Sequence, residues 1–183
     1  MLGEKIKEGD VILGVESSGL HSNGYSLARK VLLSKYKMND STQFIKDSVG
    51  DELLRPTRIY VKPINELLNT DRISVHGLAH ITGGSFTKLS RLNKKVNYKL
   101  DNLPEPKGVF RQIMDDGNIQ PREMYSTFNM GIGFCIILSK SSVDNAKDIF
   151  KKNKMNCTQI GLIEKGSGHV TALLDDKLLA LES

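Results

Sequence analysis

The run Gly19-Leu20-His21-Ser22-Asn23-Gly24-Tyr25-Ser26-Leu27 sets a polar, glycine-bounded loop between an apolar segment and an amphipathic one. Val11, Ile12, Leu13 and Val15 read as a buried strand, while Tyr25, Leu27, Ala28, Val31 and Leu32 recur at the spacing of one helix face. The glycines permit a tight turn, and Ser22 and Asn23 are residue types that cap helix starts. A helix start presents free N–H groups and the positive end of the helix dipole, so such a loop can hold a phosphate. Plain capping accounts for the same composition, because Gly, Ser and Asn dominate ordinary turns. His21 adds a group that can donate to a phosphate or move a proton, or simply bond within the loop.

Thr82-Gly83-Gly84-Ser85 repeats the device: an extended segment, Val75 to Ile81, runs into a glycine-rich turn and then a helix carrying Phe86, Leu89 and Leu92. His76 and His80 are four apart, but Gly77 and the glycines that follow oppose the continuous helix that would align them. The four histidines and two cysteines otherwise lack metal-ligand spacing, so no metal site is expected. Cys135 and Cys157 lie in strand-like apolar surroundings and read as buried, reduced thiols.

At 183 residues, 39% hydrophobic and 26% charged, the chain has the size and balance of one globular domain. Its net charge of +5 is spread over scattered Lys and Arg, with small clusters at Lys94-Lys95 and Lys151-Lys152-Lys154 and no aromatic-interleaved basic stripe. That pattern points away from nucleic acid. No apolar run approaches bilayer length, and Met1-Leu2-Gly3-Glu4-Lys5 lacks a signal-peptide core, so a cytoplasmic protein without a membrane partner is expected.

The elements that must position the loops follow from local pattern. Met38 to Gly50 is polar and reads as a surface loop. Pro56 biases Arg55 away from helix, and Ile59, Tyr60 and Val61 favour strand, so 55–61 reads as extended, with Pro63 in the first turn of a helix through Ile64, Leu67 and Leu68. Pro106 opens a helix with Val109, Phe110, Ile113 and Met114 inside, ending near Gly117-Asn118, and a helical turn spans Arg122 to Thr127. Ile132 to Leu138 is a strand in which Gly131 and Gly133 signal a bulge or a close approach by protein or ligand. Ser141 or Ser142 caps a helix with Val143, Ala146, Ile149 and Phe150; Ile160 to Ile163 and Val170 to Leu174 are closing strands. This order favours a layered α/β arrangement over a strict βαβ repeat.

Four segments in order, Ser17–Leu27, Leu53–Lys62, Ala79–Gly84 and Glu123–Gly133, resemble phosphoribosylformylglycinamidine cyclo-ligase, also called aminoimidazole ribonucleotide synthetase. The wider superfamily includes selenophosphate synthetase, a hydrogenase maturation protein and formylglycinamidine ribonucleotide synthetase; Pro56–Lys62 and Glu123–Gly133 point to the cyclo-ligase branch. The resemblance implies a mixed, largely antiparallel sheet with helices packed on it, and a single domain over residues 1–183 corresponding to the family's C-terminal domain. It begins near Gly9-Asp10-Val11. The family's N-terminal domain, which binds ATP and Mg2+ and makes the main contact of a homodimer, is expected as a separate partner, without which the chain is inactive.

In that family ATP activates the formyl oxygen of formylglycinamidine ribonucleotide, an amidine nitrogen closes the imidazole ring, and ADP and phosphate leave. The resemblance places Ser18, Ser22, Asn23, Gly24, Arg58, Thr82, Gly83, Gly84 and Asn129 around substrate or phosphate, with His21 and His80 handling protons. Arg58 suits a phosphate or a carboxylate of the fold, and Asn129 suits substrate or the turn before its strand. Ser85 stands where the family usually has a third glycine; a serine fits there only if its φ stays negative or the strain of a positive φ is tolerated, which argues against close ligand approach at that residue. A non-catalytic module that keeps the fold, or the equivalent domain of a related enzyme such as selenophosphate synthetase, is the alternative.

Overall fold

The computed structural model describes residues 3–181; Met1 and Leu2, part of the start read above as lacking a signal-peptide core, lie outside the described residues. Seven strands form one sheet: β1 (Val11–Glu16), β2 (Val75–His80), β3 (Val96–Leu100), β4 (Ile132–Leu138), β5 (Cys157–Lys165), β6 (Val170–Leu174) and β7 (Lys177–Ala180). Their spatial order is β2-β4-β1-β5-β3-β6-β7, and every pairing is antiparallel except β3 with β6. The sheet is therefore mixed and largely antiparallel, as expected.

Central β1 is apolar on both faces because helices cover both. Ile12 faces a core built with Cys135, Ile137 and Ile160, closed by α1 (Tyr25–Lys35), α4 (Val109–Gly117) and α5 (Pro121–Thr127). Val11, Leu13 and Val15 face the opposite core, shared with Ile136 and Leu138 and closed by α3 (Val61–Leu68) and α6 (Val143–Lys152). The side-chain period of two thus sorts one strand's residues between two cores. Among the described residues no helix is long and apolar enough to cross a membrane.

Two bulges matter for position. Opposite Val15 and Glu16 the β4 register runs Phe134 then Ile132, so Gly133 is the extra residue. A Cβ at Gly133 would lie 2.0 Å from Tyr60 Oη and 2.7 Å from His21 Cε1, so both the bulge and the close approach expected there occur, the latter by protein. In β2 the register steps from Val75 to Gly77, leaving His76 as the extra residue.

Several local expectations are corrected. Residues 55–60 pair with no strand, and the chain enters α3 at Val61, because tertiary contacts of Tyr60 outweigh local strand preference. The stretch read as a surface loop ends in α2 (Val49–Leu54), and Ile45 and Val49 are buried in the core. Ser48 and Asp51 form a capping box that announces that helix. The helix after Gly84 is a 3-10 helix, Ser85–Arg91. Two strands lie beyond those expected: β3, whose Val96, Tyr98 and Leu100 alternate inward, and the short β7. Ser142 occupies the N-cap position of α6, but its Oγ accepts the N–H of Ser74 at 2.9 Å instead of capping. Cys135 is buried, whereas Cys157 is partly exposed; both are free thiols.

Candidate functional site

The C-terminal ends of β1 and β2 and the N-terminal end of β4 lie together, because β4 runs antiparallel between the other two. The loops leaving those ends are the segments singled out in the sequence, and side chains tie them into one junction. Asn129 is fully buried: its Nδ2 donates to the carbonyls of Gly19 at 2.9 Å and Leu20 at 3.1 Å, and its Oδ1 accepts from Ser17 Oγ and Gly131 N–H. Ser18 Oγ donates to Pro56 O at 2.7 Å, and Ser85 Oγ to Phe128 O at 2.5 Å. Main-chain bonds from Ser17 to Gly131 and from Ile81 to Gly133 close the frame.

The capping expected of Ser22 and Asn23 does not occur. Gly24 is the N-cap of α1, at φ 63°, and no side chain caps that helix. Ser22 is exposed, while Asn23 turns inward and its Nδ2 donates to Ile81 O at 3.0 Å. A buried amide cannot leave that carbonyl unpaired, so the fold claims Asn23 and leaves the helix start open. Gly24 is required, since a Cβ there would lie 2.3 Å from the Phe128 ring. At the second loop Gly84 caps nothing with a side chain, Gly83 and Gly84 are exposed, and Thr82 Oγ1 accepts from Lys88 Nζ.

Arg58 braces a carboxylate: its Nη1 lies 2.9 Å from Glu16 Oε1, and Glu16 Oε2 accepts from Asn156 Nδ2. Asn129, with every polar atom committed to backbone and Ser17, holds the fold and makes no free hydrogen-bonding edge for substrate. Ser85 keeps a positive φ of 46° and buries its hydroxyl, so the strain is tolerated and the side chain faces protein. His21 (φ 55°) and Met130 (φ 49°) share this left-handed backbone, which concentrates strain at the junction.

His21 is 5% exposed, and burial chiefly, with His80 and Arg58 nearby, lowers its pKa to about 4. It is neutral near pH 7. Its Nε2 accepts the N–H groups of Ser18 at 3.1 Å and Arg58 at 3.4 Å. His80 is exposed at the end of β2; partial burial, then Lys88, lowers its pKa as well. Its ring stacks on Phe134 at 5.9 Å between centroids and meets Tyr60 edge-on at the same distance. Tyr60 Oη donates to Glu16 O at 2.8 Å, and burial pushes its pKa up, so it remains a donor. Glu16, Tyr60 and Phe134 were not recognised in the sequence. Only Gly133, whose missing side chain admits Tyr60, hinted at them.

A cavity of about 590 Å3 opens on the other side of β1's end, lined in part by Gly14, Ser17, Ser18, Met130 and Gly131. Among the described residues no three His, Cys, Asp or Glu side chains gather as a metal-binding set.

The AIR synthase related protein C-terminal domain model matches residues 7–173. The chain belongs to that family. It is 47% identical over 190 aligned positions to the phosphoribosylformylglycinamidine cyclo-ligase of Methanocaldococcus jannaschii, covering 98% of this chain and 54% of that protein. It is 54% identical over 149 positions to the enzyme of the same name from Methanothermobacter thermautotrophicus, covering 80% of this chain and 44% of that protein. The chain thus spans about half the length of these relatives. Its fold matches the hydrogenase maturation protein HypE in complex with ATP (TM-score 0.67, 15% identity, 98% of this chain and 52% of that one). It also matches T. maritima PurL complexed with FGAR (TM-score 0.55, 13% identity, 94% and 27%). The distant structures share its architecture.

Proposed function

We propose that this domain forms the substrate-side wall of a phosphoribosylformylglycinamidine cyclo-ligase, holding formylglycinamidine ribonucleotide while a second domain supplies ATP and Mg2+. The observation that carries this reading is the convergence of the four cyclo-ligase-like segments at one end of the sheet, joined through Asn129, Ser18, Ser85 and Asn23. The glycine N-cap of α1, Gly24, has no side-chain cap and leaves N–H groups suited to the ribose phosphate, whereas after Gly84 the N–H groups of Ser85 and Thr87 are already given to Thr82 O and Gly84 O. Neutral His21 serves as a hydrogen-bond donor; with its Nε2 engaged by two N–H groups, it does not take up a proton during ring closure. His80, exposed at the rim, is the proton-handling residue of this reading.

The residues present do not suit the metal–nucleotide side. Glu16, the carboxylate at the junction, is engaged by Arg58 and Asn156, so no step through ATP or Mg2+ is assigned to this chain. The cytoplasmic setting and a homodimer made through the second domain belong to the same reading.

Mixing this chain with the complementary N-terminal half of the Methanocaldococcus jannaschii relative tests it. ATP-dependent conversion of formylglycinamidine ribonucleotide to aminoimidazole ribonucleotide is expected only with both halves present. A stable, verified complex that remains inert sinks the proposal, and turnover by this chain alone overturns the division of labour.

A further inference from the structure

His21 Nδ1, Asn23 Oδ1 and Arg58 Nε, the buried side-chain atoms left without a hydrogen-bond partner among the described residues, all belong to the junction. A second polar place lies outside it. A cavity of about 700 Å3 runs between the 3-10 helix Ser85–Arg91 and α5, and none of the residues assigned above to substrate, phosphate or proton handling lines it. Its size suits a small organic molecule, whose sites span roughly 300 to 1,000 Å3. Buried Phe86 and Tyr125, with ring centroids 6.3 Å apart, hold the two helices together. On the 3-10 helix Thr87 and Ser90 are one turn apart and share a face, and on α5 Arg122 and Ser126 do the same; both faces line the cavity.

Bonds inside the fold set the polarity of this lining. Thr87 Oγ1 donates to Gly84 O at 2.5 Å, Ser90 Oγ to Thr87 O at 2.8 Å, and Ser126 Oγ to Arg122 O at 2.7 Å, with Leu181 O a second acceptor at 3.3 Å. A hydroxyl has one proton to give, so each of the three meets a ligand with lone pairs only. The Glu123 carboxylate in the wall accepts as well. The donors are the guanidinium groups of Arg91 and Arg122, planar forks that match a phosphate through paired N–H bonds. Arg91 is exposed and forms no ion pair among the described residues. A bare phosphate answers only the forks, and a neutral sugar answers only the acceptors. A polyphosphate sets surplus charge against Glu123. We propose that this groove binds a phosphomonoester carried on a polyhydroxyl ring, either a sugar monophosphate or the same unit of a nucleoside monophosphate. Its phosphate lies on Arg91 and Arg122, and its ring hydroxyls donate to Thr87, Ser90 and Ser126. Thr87, tied to Gly84 O, connects this groove to the turn of the second loop.

Nuclear magnetic resonance of the chain labelled with nitrogen-15 tests the assignment. Ribose 5-phosphate, ribose, inorganic phosphate and adenosine 5′-monophosphate are titrated separately. Ribose 5-phosphate is expected to move the Nε–H signals of Arg91 and Arg122 and the main-chain amides of Ser90 and Ser126, at about tenfold lower concentration than ribose or inorganic phosphate. Arg91→Gln, a substitution at an exposed position, is expected to weaken that binding by about tenfold, the loss of a charge-assisted hydrogen bond, while any shifts at Tyr25–Leu27 in the junction stay as in the wild type. Tighter binding of adenosine 5′-monophosphate assigns the groove to nucleotides, and binding that is no tighter assigns it to free sugar phosphates. Groove signals that stay still, that follow inorganic phosphate equally well, or that respond equally in Arg91→Gln overturn the inference. The junction signals in the same titrations report on the cyclo-ligase reading, so either can fail while the other stands.

Discussion

The two ends of the sheet carry similar polar residues and treat them oppositely. At the far end, where β1 and β2 begin and β4 finishes, His76 Nδ1 lies 2.6 Å from Asp10 Oδ2 and His76 Nε2 lies 2.9 Å from Ser74 Oγ. Asp10 Oδ2 also accepts the N–H of Lys7, and Ser74 N–H donates to Ser142 Oγ. Asp10 and His76 are nearly as buried as His21 and Asn23, yet none of the orphaned atoms belongs to them. One end is closed upon itself, and the other is short of partners. A hydrogen-bonded histidine beside an acid is therefore poor grounds for assigning function here. An unsatisfied one is better grounds, because its desolvation is repaid only when a ligand, an ordered water or a rearrangement supplies the missing partner.

The largest effect should come from breaking the closed end. Asp10→Ala strips the partner from buried His76 and should cost about 3 kcal/mol in urea unfolding, with ligand binding at the junction unchanged. A loss below about 1 kcal/mol would mean the Asp10–His76 pair is not what holds that end. Next comes the pH response of the open end. His21 is neutral when folded, with a pKa near 4 against 6.5 unfolded, so the unfolded chain binds more protons between those values. Stability is full above pH 6.5 and declines as pH falls toward 4, by roughly 2 kcal/mol after allowance for partial solvent access. Unfolding midpoints at pH 7 and pH 4 check this, with His21→Asn, a residue that tolerates the left-handed backbone, expected to flatten the difference. An equal slope in that variant would assign the titration elsewhere.

The smallest effect concerns the strained serine. Ser85→Gly relieves a positive φ and loses the bond to Phe128 O, two changes of about 1 kcal/mol each that should nearly cancel. Ser85→Ala keeps the strain and loses the bond, so it should fall about 1 kcal/mol below Ser85→Gly in thermal unfolding. Equal stability of the two variants would show that φ 46° costs this chain nothing.

Much of the scaffold was legible. Val11–Val15, Ile132–Leu138 and the stripe of Val109, Phe110 and Ile113 declare themselves by period, since a strand or helix must turn its apolar residues to a core. Strand β3 carries its signal too, in the alternation of Val96, Tyr98 and Leu100, and α2 in its Ser48–Asp51 capping box. Residues 55–60 misled because Ile59 and Tyr60 favour strands locally, while the position of Tyr60 is set by Gly133, far away in sequence. Of the candidate site, the segments were legible and several roles were not. Asn129 and Asn23 looked alike as polar loop residues; the fold spends every bond of the first and leaves one atom of the second without a partner.

By itself the sequence determined the element types, the two-faced burial of β1, the glycines at tight backbone positions and the family to which the chain belongs. Only the tertiary structure decided that Arg58 pairs with the Glu16 carboxylate, that Gly24 and Gly84 leave helix starts without side-chain caps, and that three polar atoms among the described residues remain unpaired. The physical reason is range. Periodicity and turn chemistry act between near neighbours, whereas the satisfaction of a buried hydrogen bond depends on partners such as Ile81, Glu16 and Gly19 that only folding brings within 3 Å or so.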